Sequence, residues 1–408
     1  MAAKSAVRSI LEKSPSDIVI VSALRTPITR AKKGGLKDVY PEELLSKVLS
    51  ATVKKSGIDK NLVDDVLVGA VLQTLGGHKA SALAVKSVGF PISTTTNTIN
   101  RQCGSSAQAM SYIASSIRSG DIDIGIAAGV ESMTFDYFPH RGIPTRISES
   151  LKASASDEAK NVLMPMGITS ENVAEKYGIT REEQDHFAYL SHTRAARATE
   201  SGHFAKEIVP VEARFVDENG VESPNTVTVS KDDGIRATIS LDKLATLKPV
   251  FSETGTTTAG NSSQISDGAS AVLLMTRAKA HELGLRPVAR FIASKAAGVP
   301  SALMGIGPAA AIPKLLERVG LVSSDIDVWE INEAFASQSV YCVKELGLDS
   351  DKVNPNGGAI ALGHPLGATG GRLVATLNND LHSLDGELGV LSMCMSTGQG
   401  YAALLSRE

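Results

Sequence analysis

The sequence predicts an α/β fold in which short buried strands alternate with helices, with the same plan repeated in the second part of the chain. Short β-branched runs such as Ile18-Val19-Ile20-Val21 and Val66-Leu67-Val68 are separated by segments with a helical spacing of apolar residues. Similar runs recur near the C-terminus, as in Val390-Leu391-Ser392-Met393. The alternation favours a parallel sheet, and the recurrence favours two similar halves packed face to face.

In the first part of the chain, further strands are predicted at 97–99 and 122–126. The stretch 104–118 between them places Ala107, Met110 and Ile113 on one face at helical spacing, and Gly120 ends the pattern. Cys103 is therefore expected at the N-terminus of a helix.

The second part of the chain repeats the pattern, with strands predicted at 288–292, 326–331 and 390–393. A more polar stretch, 135–247, carries helical patterns at 170–177 and 181–199 and is interpreted as a lid-like insertion in the first half. The predicted organisation is an N-terminal extension (1–16), a first half (17–280, with the insertion at 135–247) and a second half (281–408).

Length and composition restrict the function classes. A chain of 408 residues with 42% hydrophobic content can bury a large core. The formal charge is −3, from 41 basic and 44 acidic residues that are mixed along the chain, which argues against nucleic-acid or anionic-membrane partners. No apolar run approaches the roughly 18 residues needed for a membrane span. Three widely spaced cysteines suggest thiols kept for chemistry rather than disulfides.

Three residues lie in glycine- or serine-rich turns that follow apolar runs: Cys103, His364 and Cys394. A thiol at a helix start is exposed to the positive end of the helix, which favours the nucleophilic thiolate. Cys342, in an apolar helical pattern, is expected to be a packed small hydrophobe. His186, His192 and His203 fall in the polar insertion and are expected to be solvated, and the histidines show no metal-ligand spacing.

These turns are accompanied by further segments in a recognisable order: Gly129-Val130-Glu131-Ser132-Met133, Met164-Pro165-Met166-Gly167, Thr258-Ala259-Gly260-Asn261-Ser262-Ser263, Asn332-Glu333-Ala334-Phe335 and Asn354-Pro355-Asn356-Gly357-Gly358-Ala359. Together they resemble the thiolase family from about residue 17 to the C-terminus, and within it the long-chain degradative group. The resemblance implies two halves in a five-layered αβαβα core, a loop domain that covers coenzyme A, and an acyltransferase that cleaves 3-ketoacyl-CoA with coenzyme A.

The resemblance also implies roles for single residues. Cys103 becomes acylated, His364 takes its proton, and Cys394 handles the α-carbon proton of acetyl-CoA. Asn332 holds a water that acts with His364 on one thioester oxygen, and the backbone amides of Cys103 and Ser396 serve the other. The positions that line the coenzyme A channel in relatives are Arg236, Ser263, Met166 and Phe335. Coenzyme A is a substrate, and neither a metal nor a redox cofactor is implied.

The chain departs from the family pattern at two turns. Ser396 stands where glycine is usual, and its side chain is expected to crowd the site if the backbone there needs a positive φ. Gly104-Ser105-Ser106 follows the first cysteine, where relatives commonly have two serines and a glycine. A free thiol has a pKa of about 8.5, so the site is expected to lower the pKa of Cys103.

Alternatives to a degradative thiolase are an acetoacetyl-CoA thiolase that condenses two acetyl-CoA molecules, a non-catalytic acyl-CoA or lipid-binding relative, and a decarboxylating condensing enzyme. Pro165, where short-chain enzymes usually have histidine, favours the degradative group, and retention of Cys103, Asn332, His364 and Cys394 argues against a binding module. Relatives form dimers or tetramers of dimers, and the strand at 94–99 is the expected contact.

The compartment is expected to be the peroxisome by family resemblance, although the sequence carries no clear targeting signal. Lys4 and Arg8 give residues 1–11 a slight similarity to a mitochondrial transit peptide, and the mitochondrion and the cytosol stay open as alternatives. A solvated N-terminal extension is the preferred interpretation of this segment.

Overall fold

The structure is a computed structural model that describes residues 2–217 and 219–408; Met1, the first residue of the predicted extension, and Glu218, in the predicted insertion, lie outside the described residues. The strands are β1 (Ile18–Arg25), β2 (Thr29–Arg30), β3 (Asp65–Gly69), β4 (Thr95–Ile99), β5 (Ile124–Ser132), β6 (Val211–Ala213), β7 (Val227–Val229), β8 (Ser266–Thr276), β9 (Ala289–Gly298), β10 (Val328–Ile331), β11 (Leu388–Met395) and β12 (Gln399–Arg407).

The helices are α1 (Ala2–Leu11), α2 (Pro41–Ser56), α3 (His78–Ser87), α4 (Ser105–Ser119), α5 (Met133–Asp136), α6 (Glu149–Ser154), α7 (Asp157–Asn161), α8 (Met166–Tyr177), α9 (Arg181–Glu200), α10 (Leu241–Ala245), α11 (Arg277–Glu282), α12 (Gly307–Val319), α13 (Ala336–Glu345), α14 (Ala359–Leu362) and α15 (Thr369–Ser383). The predicted strands and the predicted helices at 104–118, 170–177 and 181–199 are confirmed to within four residues at their ends, except that β5 and β9 each extend six residues beyond the predicted C-terminal end.

The predicted repeat is visible in the strand order. In the first half, β3 runs parallel to β5, β5 antiparallel to β8, and β8 antiparallel to β1. In the second half, β10 runs parallel to β11, β11 antiparallel to β12, and β12 antiparallel to β9. The two halves therefore share one topology, and β4 extends the first half by a parallel pairing with β3. A short antiparallel pairing of β1 with β9 joins the two half-sheets.

Three large apolar clusters show the layers. The first joins α2 to one face of the first half-sheet, and the third joins α12 to the outer face of the second. The second cluster lies between the half-sheets and contains α4 and α15. Neighbouring residues of one strand point to different clusters, as Ile126 and Ala127 of β5 do, so the strands are buried on both faces. The order of layers is helix, sheet, helix, sheet, helix.

Helices α4 and α15 pack closely in the middle layer, and this contact positions the loops that precede them. A Cβ atom at Gly370 would overlap the backbone of Ala107, so a side chain cannot be accommodated there. The amide of Gly371 donates to Ser106 Oγ at 3.0 Å. Because the first turns of both helices are in contact, the loops before Ser105 and before Thr369 meet on one side of the middle layer.

The prediction of a parallel sheet is wrong for part of the fold. The long strands β8 and β12 were not predicted, and both run antiparallel to both of their neighbours. A tight turn at 396–398, rather than a crossover helix, joins β11 to β12, and a two-stranded hairpin can only be antiparallel.

The N-terminal segment is also different from its prediction as a solvated extension. Helix α1 packs Val7, Ile10 and Leu11 against the apolar cluster of α12. Arg290 donates to the carbonyl groups of Ile10 and Glu12, which ties the end of the helix to β9. Half-burial of three apolar side chains stabilises the docked position. Among the residues that the structure describes, no helix combines the length and apolar character that a bilayer crossing requires.

Candidate active site

Cys103 lies on a tight turn between β4 and α4. The residue before it, Gln102, has φ +50°, an unusual conformation for a side chain larger than glycine. Two local hydrogen bonds hold this turn: the amide of Gln102 donates to Asn100 Oδ1 at 2.9 Å, and Ser105 Oγ donates to the carbonyl of Gln102 at 2.6 Å. The turn therefore presents the half-buried Cys103 two residues before the first residue of the helix.

Gly104 packs against a side chain from the second half of the chain. A Cβ atom at this position would overlap Met395 Sδ at the end of β11. Relatives commonly have serine at this position. Glycine fits here because Met395 occupies the space that a side chain at residue 104 would need.

The surroundings of the Cys103 thiol favour the protonated form. Burial raises the pKa of the thiol to about 12, and the negative charge of Glu131 acts in the same direction. The N–H groups of Ser396 and of Cys103 itself approach the sulfur and act against this shift. The prediction that the site lowers the pKa of Cys103 is wrong for the free protein, because the loss of hydration outweighs the two amides.

His364 follows α14 in the loop that leads to α15, and it is buried. Its Nδ1 lies 2.7 Å from Thr369 Oγ1, whose hydroxyl donates to the carbonyl of Pro365 at 2.9 Å. Since the hydroxyl proton is used there, Nδ1 carries the hydrogen and donates to Thr369, and Nε2 is an acceptor. Burial, followed by the positive charge of Arg372, lowers the pKa of His364 to about 3, so the imidazole is neutral in the free protein.

Asn332 lies directly after β10, beside His364. Its Nδ2 is 3.4 Å from His364 Nε2, and its Oδ1 accepts from Arg372 Nη2 at 3.5 Å. Arg372 is itself held by an ion pair with Glu330, Nη1 to Oε2 3.0 Å. The guanidinium fixes which end of the Asn332 amide faces His364, because it can only donate.

Cys394 is the penultimate residue of β11 rather than part of the turn that follows. It is buried, and its thiol donates to Gln338 Oε1 at 2.9 Å. Burial raises the pKa of this thiol well above its usual value, and the nearby Cys103 acts in the same direction. Gly104, next to Cys103, packs against Met395, next to Cys394, so both thiols lie in one site. Cys342, by contrast, is buried in α13 and contacts the carbonyl of Gly305, as expected for a packing residue.

Ser396 begins the three-residue turn between β11 and β12. Its φ is negative; Thr397 (φ +68°) and Gly398 (φ +78°) take the left-handed conformations. The expected crowding from a positive φ at Ser396 therefore does not arise. The position supplies an N–H group next to Cys103 without requiring glycine.

Exchanging Ser396 separates the role of its amide from that of its side chain. Ser396→Gly keeps the N–H group, so turnover should stay within about tenfold of the wild type, which corresponds to about 1.4 kcal/mol. Ser396→Pro deletes the donor, and kcat should fall by about a hundredfold or more. Thermal melting of both variants controls for disruption of the turn. Near-normal turnover of a folded Ser396→Pro protein would show that this amide is no oxyanion donor.

The raised pKa of Cys103 predicts the pH dependence of its alkylation in the free protein. With the pKa of Cys103 raised to about 12, the thiolate fraction grows tenfold with each pH unit below that value. The rate of Cys103 modification by iodoacetamide should therefore rise about tenfold per unit from pH 6 to pH 9, measured by peptide mass spectrometry. A rate that is level across this range would instead indicate a preformed thiolate–imidazolium pair.

Three of the four predicted channel residues lie close to Cys394. Met166 and Phe335 pack in the apolar cluster around it, together with Met304 and Ala334. Ser263 is adjacent, since its amide donates to the carbonyl of Ala334 at 3.0 Å. The fourth residue is separate: Arg236 is exposed, and its backbone amide donates to His192 Nδ1 at 3.1 Å.

His192 corrects the prediction that the histidines of the insertion are solvated. Its exposed fraction is 1%, and burial, followed by the charge of Arg236, lowers its pKa to about 4. His203 is also largely buried and contacts Asp380, Nε2 to Oδ1 2.9 Å, whereas His186 is exposed as expected. No group of three or more potential metal ligands occurs in residues 2–217 and 219–408.

Sequence reasoning did not identify Thr369, Arg372 and Gln338. Each is a polar residue in an otherwise small or apolar helix start, at Thr369-Gly370-Gly371-Arg372 and Ala336-Ser337-Gln338. A buried polar side chain needs a hydrogen-bond partner, and a polar residue in such a segment was the sequence signal that could have identified these three residues.

Comparison with known proteins assigns the chain to a family. Residues 18–278 match the family model described as thiolase, N-terminal domain, and residues 285–407 match that of the thiolase C-terminal domain. The chain is 50% identical over 396 residues to 3-ketoacyl-CoA thiolase 2, peroxisomal, of Arabidopsis thaliana, an alignment that covers 96% of this chain and 84% of the relative. It is 50% identical over 395 residues to 3-ketoacyl-CoA thiolase B, peroxisomal, of Rattus norvegicus, covering 96% and 91%.

Among solved structures, the crystal structure of the dimeric peroxisomal thiolase of Saccharomyces cerevisiae superposes with a TM-score of 0.91 at 44% identity. The match covers 98% of this chain and 100% of the yeast chain. Both family models together cover nearly the whole chain, and the relatives agree in sequence and in fold. The chain belongs to the thiolase family.

Proposed function

We propose that this chain cleaves 3-ketoacyl-CoA with coenzyme A to give acetyl-CoA and a shortened acyl-CoA, and that Cys103 carries the acyl group. Two observations support the assignment of residues: the amide of Ser396 lies at the Cys103 thiol, which is near the Cys394 thiol, and His364 is paired with Asn332. We infer that both groups face one substrate. The relatives are named as 3-ketoacyl-CoA thiolases, and the chain is an acyltransferase of the same kind, acting in fatty acid β-oxidation.

The first half-reaction begins when His364 Nε2 takes the thiol proton of Cys103. The thiolate adds to the keto carbon of the substrate, and the amides of Cys103 and Ser396 stabilise the oxyanion that forms. The bond between C2 and C3 then breaks, and its electron pair passes to the acetyl-CoA enolate. Asn332 and protonated His364 face the thioester oxygen of this enolate, and Cys394 donates a proton to C2, so that acetyl-CoA is released.

The second half-reaction returns the site to its first state. The thiolate of Cys394 takes the proton of the coenzyme A thiol, and the sulfur attacks the acyl group on Cys103. The acyl-CoA product leaves as Cys103 regains its proton from His364. Each step moves a proton or an acyl group, and the electrons balance within the two substrates, so we infer that the reaction needs no redox cofactor and no metal; coenzyme A is a substrate.

The channel residues support binding of the pantetheine arm beside Cys394. Met166 and Phe335 form an apolar wall there, and Ser263 lies next to it through its backbone hydrogen bond to Ala334. Arg236 is exposed and available for a phosphate of coenzyme A. The insertion at 135–247 supplies Met166 and Arg236, as expected for a loop domain that covers the coenzyme A part of the substrate.

A chain-length series of 3-ketoacyl-CoA substrates tests the proposal. Thiolytic cleavage of medium and long chains, followed by the loss of the free thiol of coenzyme A or by mass spectrometry of the acyl-CoA products, is expected with kcat/KM above that for acetoacetyl-CoA. Cleavage of acetoacetyl-CoA alone would instead favour the condensing alternative. The absence of turnover with every substrate, together with tight acyl-CoA binding, would favour the binding-module alternative.

The location is peroxisomal, as the names of the relatives indicate. We further propose a homodimer, as in the yeast thiolase, in which the edge strand β4 forms the contact. The strand is half-exposed at the end of the sheet, and exposed apolar side chains surround it: Leu75 (91%), Leu83 (61%) and Ile92 (98%). An unpaired edge with such a surface is typical of an association site.

A charge placed on this surface is expected to weaken the dimer. Ile92→Glu should lower the molar mass measured by light scattering from that of two chains towards that of one at low micromolar concentration, because burying an unpaired carboxylate is costly. The exposed Leu384 on the opposite part of the chain provides a matched control, Leu384→Glu, which should leave the mass unchanged. An unaltered dimer in Ile92→Glu would place the contact elsewhere, and a mass of four chains would show a tetramer.

A further inference from the structure

Gln338 is a buried side chain behind Cys394 that the mechanism above does not use. Its exposed fraction is 1%, and it lies in the first turn of α13, directly after the Asn332-Glu333-Ala334-Phe335 segment. A Cβ atom at Gly305 would overlap the Cβ of Gln338, so the backbone of the neighbouring turn packs against its stem. The position of this side chain is therefore restricted before any hydrogen bond is considered.

Three hydrogen bonds fix the direction in which the Gln338 amide points. Ser339 Oγ donates its only proton to the carbonyl of Phe335 at 3.2 Å, so its oxygen is left to accept. Gln338 Nε2 donates to that oxygen at 2.8 Å. The other end of the amide, Oε1, consequently faces Cys394 Sγ at 2.9 Å, and only a protonated thiol can complete this contact.

We propose that Gln338 is a positioning residue that keeps Cys394 protonated and oriented for proton transfer at the α-carbon of acetyl-CoA. The inference deepens the proposed function and depends on it. In the cleavage direction, Cys394 must be protonated when the acetyl-CoA enolate forms, because it donates the proton to C2. A carbonyl oxygen held against the sulfur favours the thiol over the thiolate, since it accepts from the first and repels the second.

The contact between Gln338 and Cys394 also distinguishes the roles of the two cysteines. Both thiols share one site, yet only Cys103 has two amide N–H groups at its sulfur, which favour negative charge there. Cys394 instead meets a fixed acceptor. Negative charge is therefore less unfavourable at Cys103 than at Cys394, and the transferable proton is assigned to Cys394.

The experiment measures the two half-reactions separately in Gln338→Met, a variant of similar length that lacks the acceptor. Exchange of acetyl-CoA methyl protons with deuterated water reports on Cys394. Acylation of Cys103 by radiolabelled acetyl-CoA reports on the nucleophile, because coenzyme A can leave as its thiolate without the proton of Cys394. Exchange should slow by at least tenfold, whereas acylation should stay within about threefold of the wild type. A hydrogen-bonded S–H group absorbs at a lower infrared frequency than a free one, so the S–H band that is lost in Cys394→Ser should lie higher in Gln338→Met.

Two further variants guard against an effect of misfolding. Ser339→Ala removes only the hydroxyl that orients the amide, and exchange should fall less than in Gln338→Met, with acylation unchanged. Gln184→Met replaces another fully buried glutamine, in α9, that does not contact a cysteine, and both half-reactions should be unchanged.

Equal losses in both half-reactions of Gln338→Met, or exchange at the wild-type rate, would overturn the proposal. These results are distinct from failure of the proposed function itself. In that case the wild-type protein would show neither acylation nor exchange, and the variants would have nothing to lose.

Discussion

Cys103→Ala is expected to abolish thiolysis, with a loss of roughly five orders of magnitude in kcat, because removal of a covalent nucleophile leaves only binding and oxyanion stabilisation. The variant should also lose covalent labelling by radiolabelled acyl-CoA, since no other thiol in the site lies against the two amides of Cys103 and Ser396. The measurement is the stoichiometry of acid-stable label per chain, with steady-state turnover in parallel.

Cys342→Ala provides the matched control for this experiment. Cys342 is buried in α13 with its sulfur near the carbonyl of Gly305, outside the converging loops. Its replacement should reduce stability slightly and leave turnover and labelling intact. Undiminished labelling in Cys103→Ala would show that Cys103 is not the nucleophile and that another side chain carries the acyl group.

Cys394→Ser is expected to leave acylation of Cys103 largely intact while it lowers overall turnover by roughly three to four orders of magnitude, the upper range for loss of a general acid–base group. A hydroxyl is a much weaker acid than a thiol, so it cannot supply the proton to the enolate or remove one from acetyl-CoA at neutral pH. Exchange of acetyl-CoA methyl protons with deuterated water, followed by mass spectrometry, should disappear.

Serine is close to cysteine in shape, so the buried site should tolerate the change, and thermal melting provides the control. The hydroxyl can still donate to Gln338, which keeps the local hydrogen bond. Normal exchange in a folded Cys394→Ser protein would remove Cys394 from the mechanism and leave the proton transfer to His364.

The sequence was informative about the fold wherever local pattern determines structure. The helix after Cys103 was predicted because apolar spacing and Gly120 specify it, and it ends at Ser119 with Gly120 in a left-handed conformation (φ +81°). Strands β8 and β12 were not predicted. Their antiparallel direction could not be inferred from the sequence either, because each strand is apolar along both faces and such a pattern does not distinguish parallel from antiparallel pairing. Burial of His192 was missed because it depends on which side of α9 meets the core.

For the site, the turns that carry Cys103, His364 and Asn332 were identified from glycine and serine patterns and from resemblance. The residues that orient them were not. Arg372 is 40 residues from Asn332 along the chain, and Gln338 is 56 residues from Cys394. Such pairs meet only because the two half-sheets bring distant helices together. The raised pKa of Cys103 was missed for the same reason, since desolvation depends on the complete packing and not on the helix start alone.

The common topology of the two halves has a consequence for the asymmetry of the site. Cys103 precedes α4, which leads to β5, and His364 precedes α15, which leads to the corresponding strand β11; nucleophile and base thus occupy equivalent positions in the two copies. Two copies of identical sequence would present two identical loops. Because the two halves of this chain differ in sequence, one loop carries a thiol and the other an imidazole, which is the asymmetry that the proposed chemistry needs.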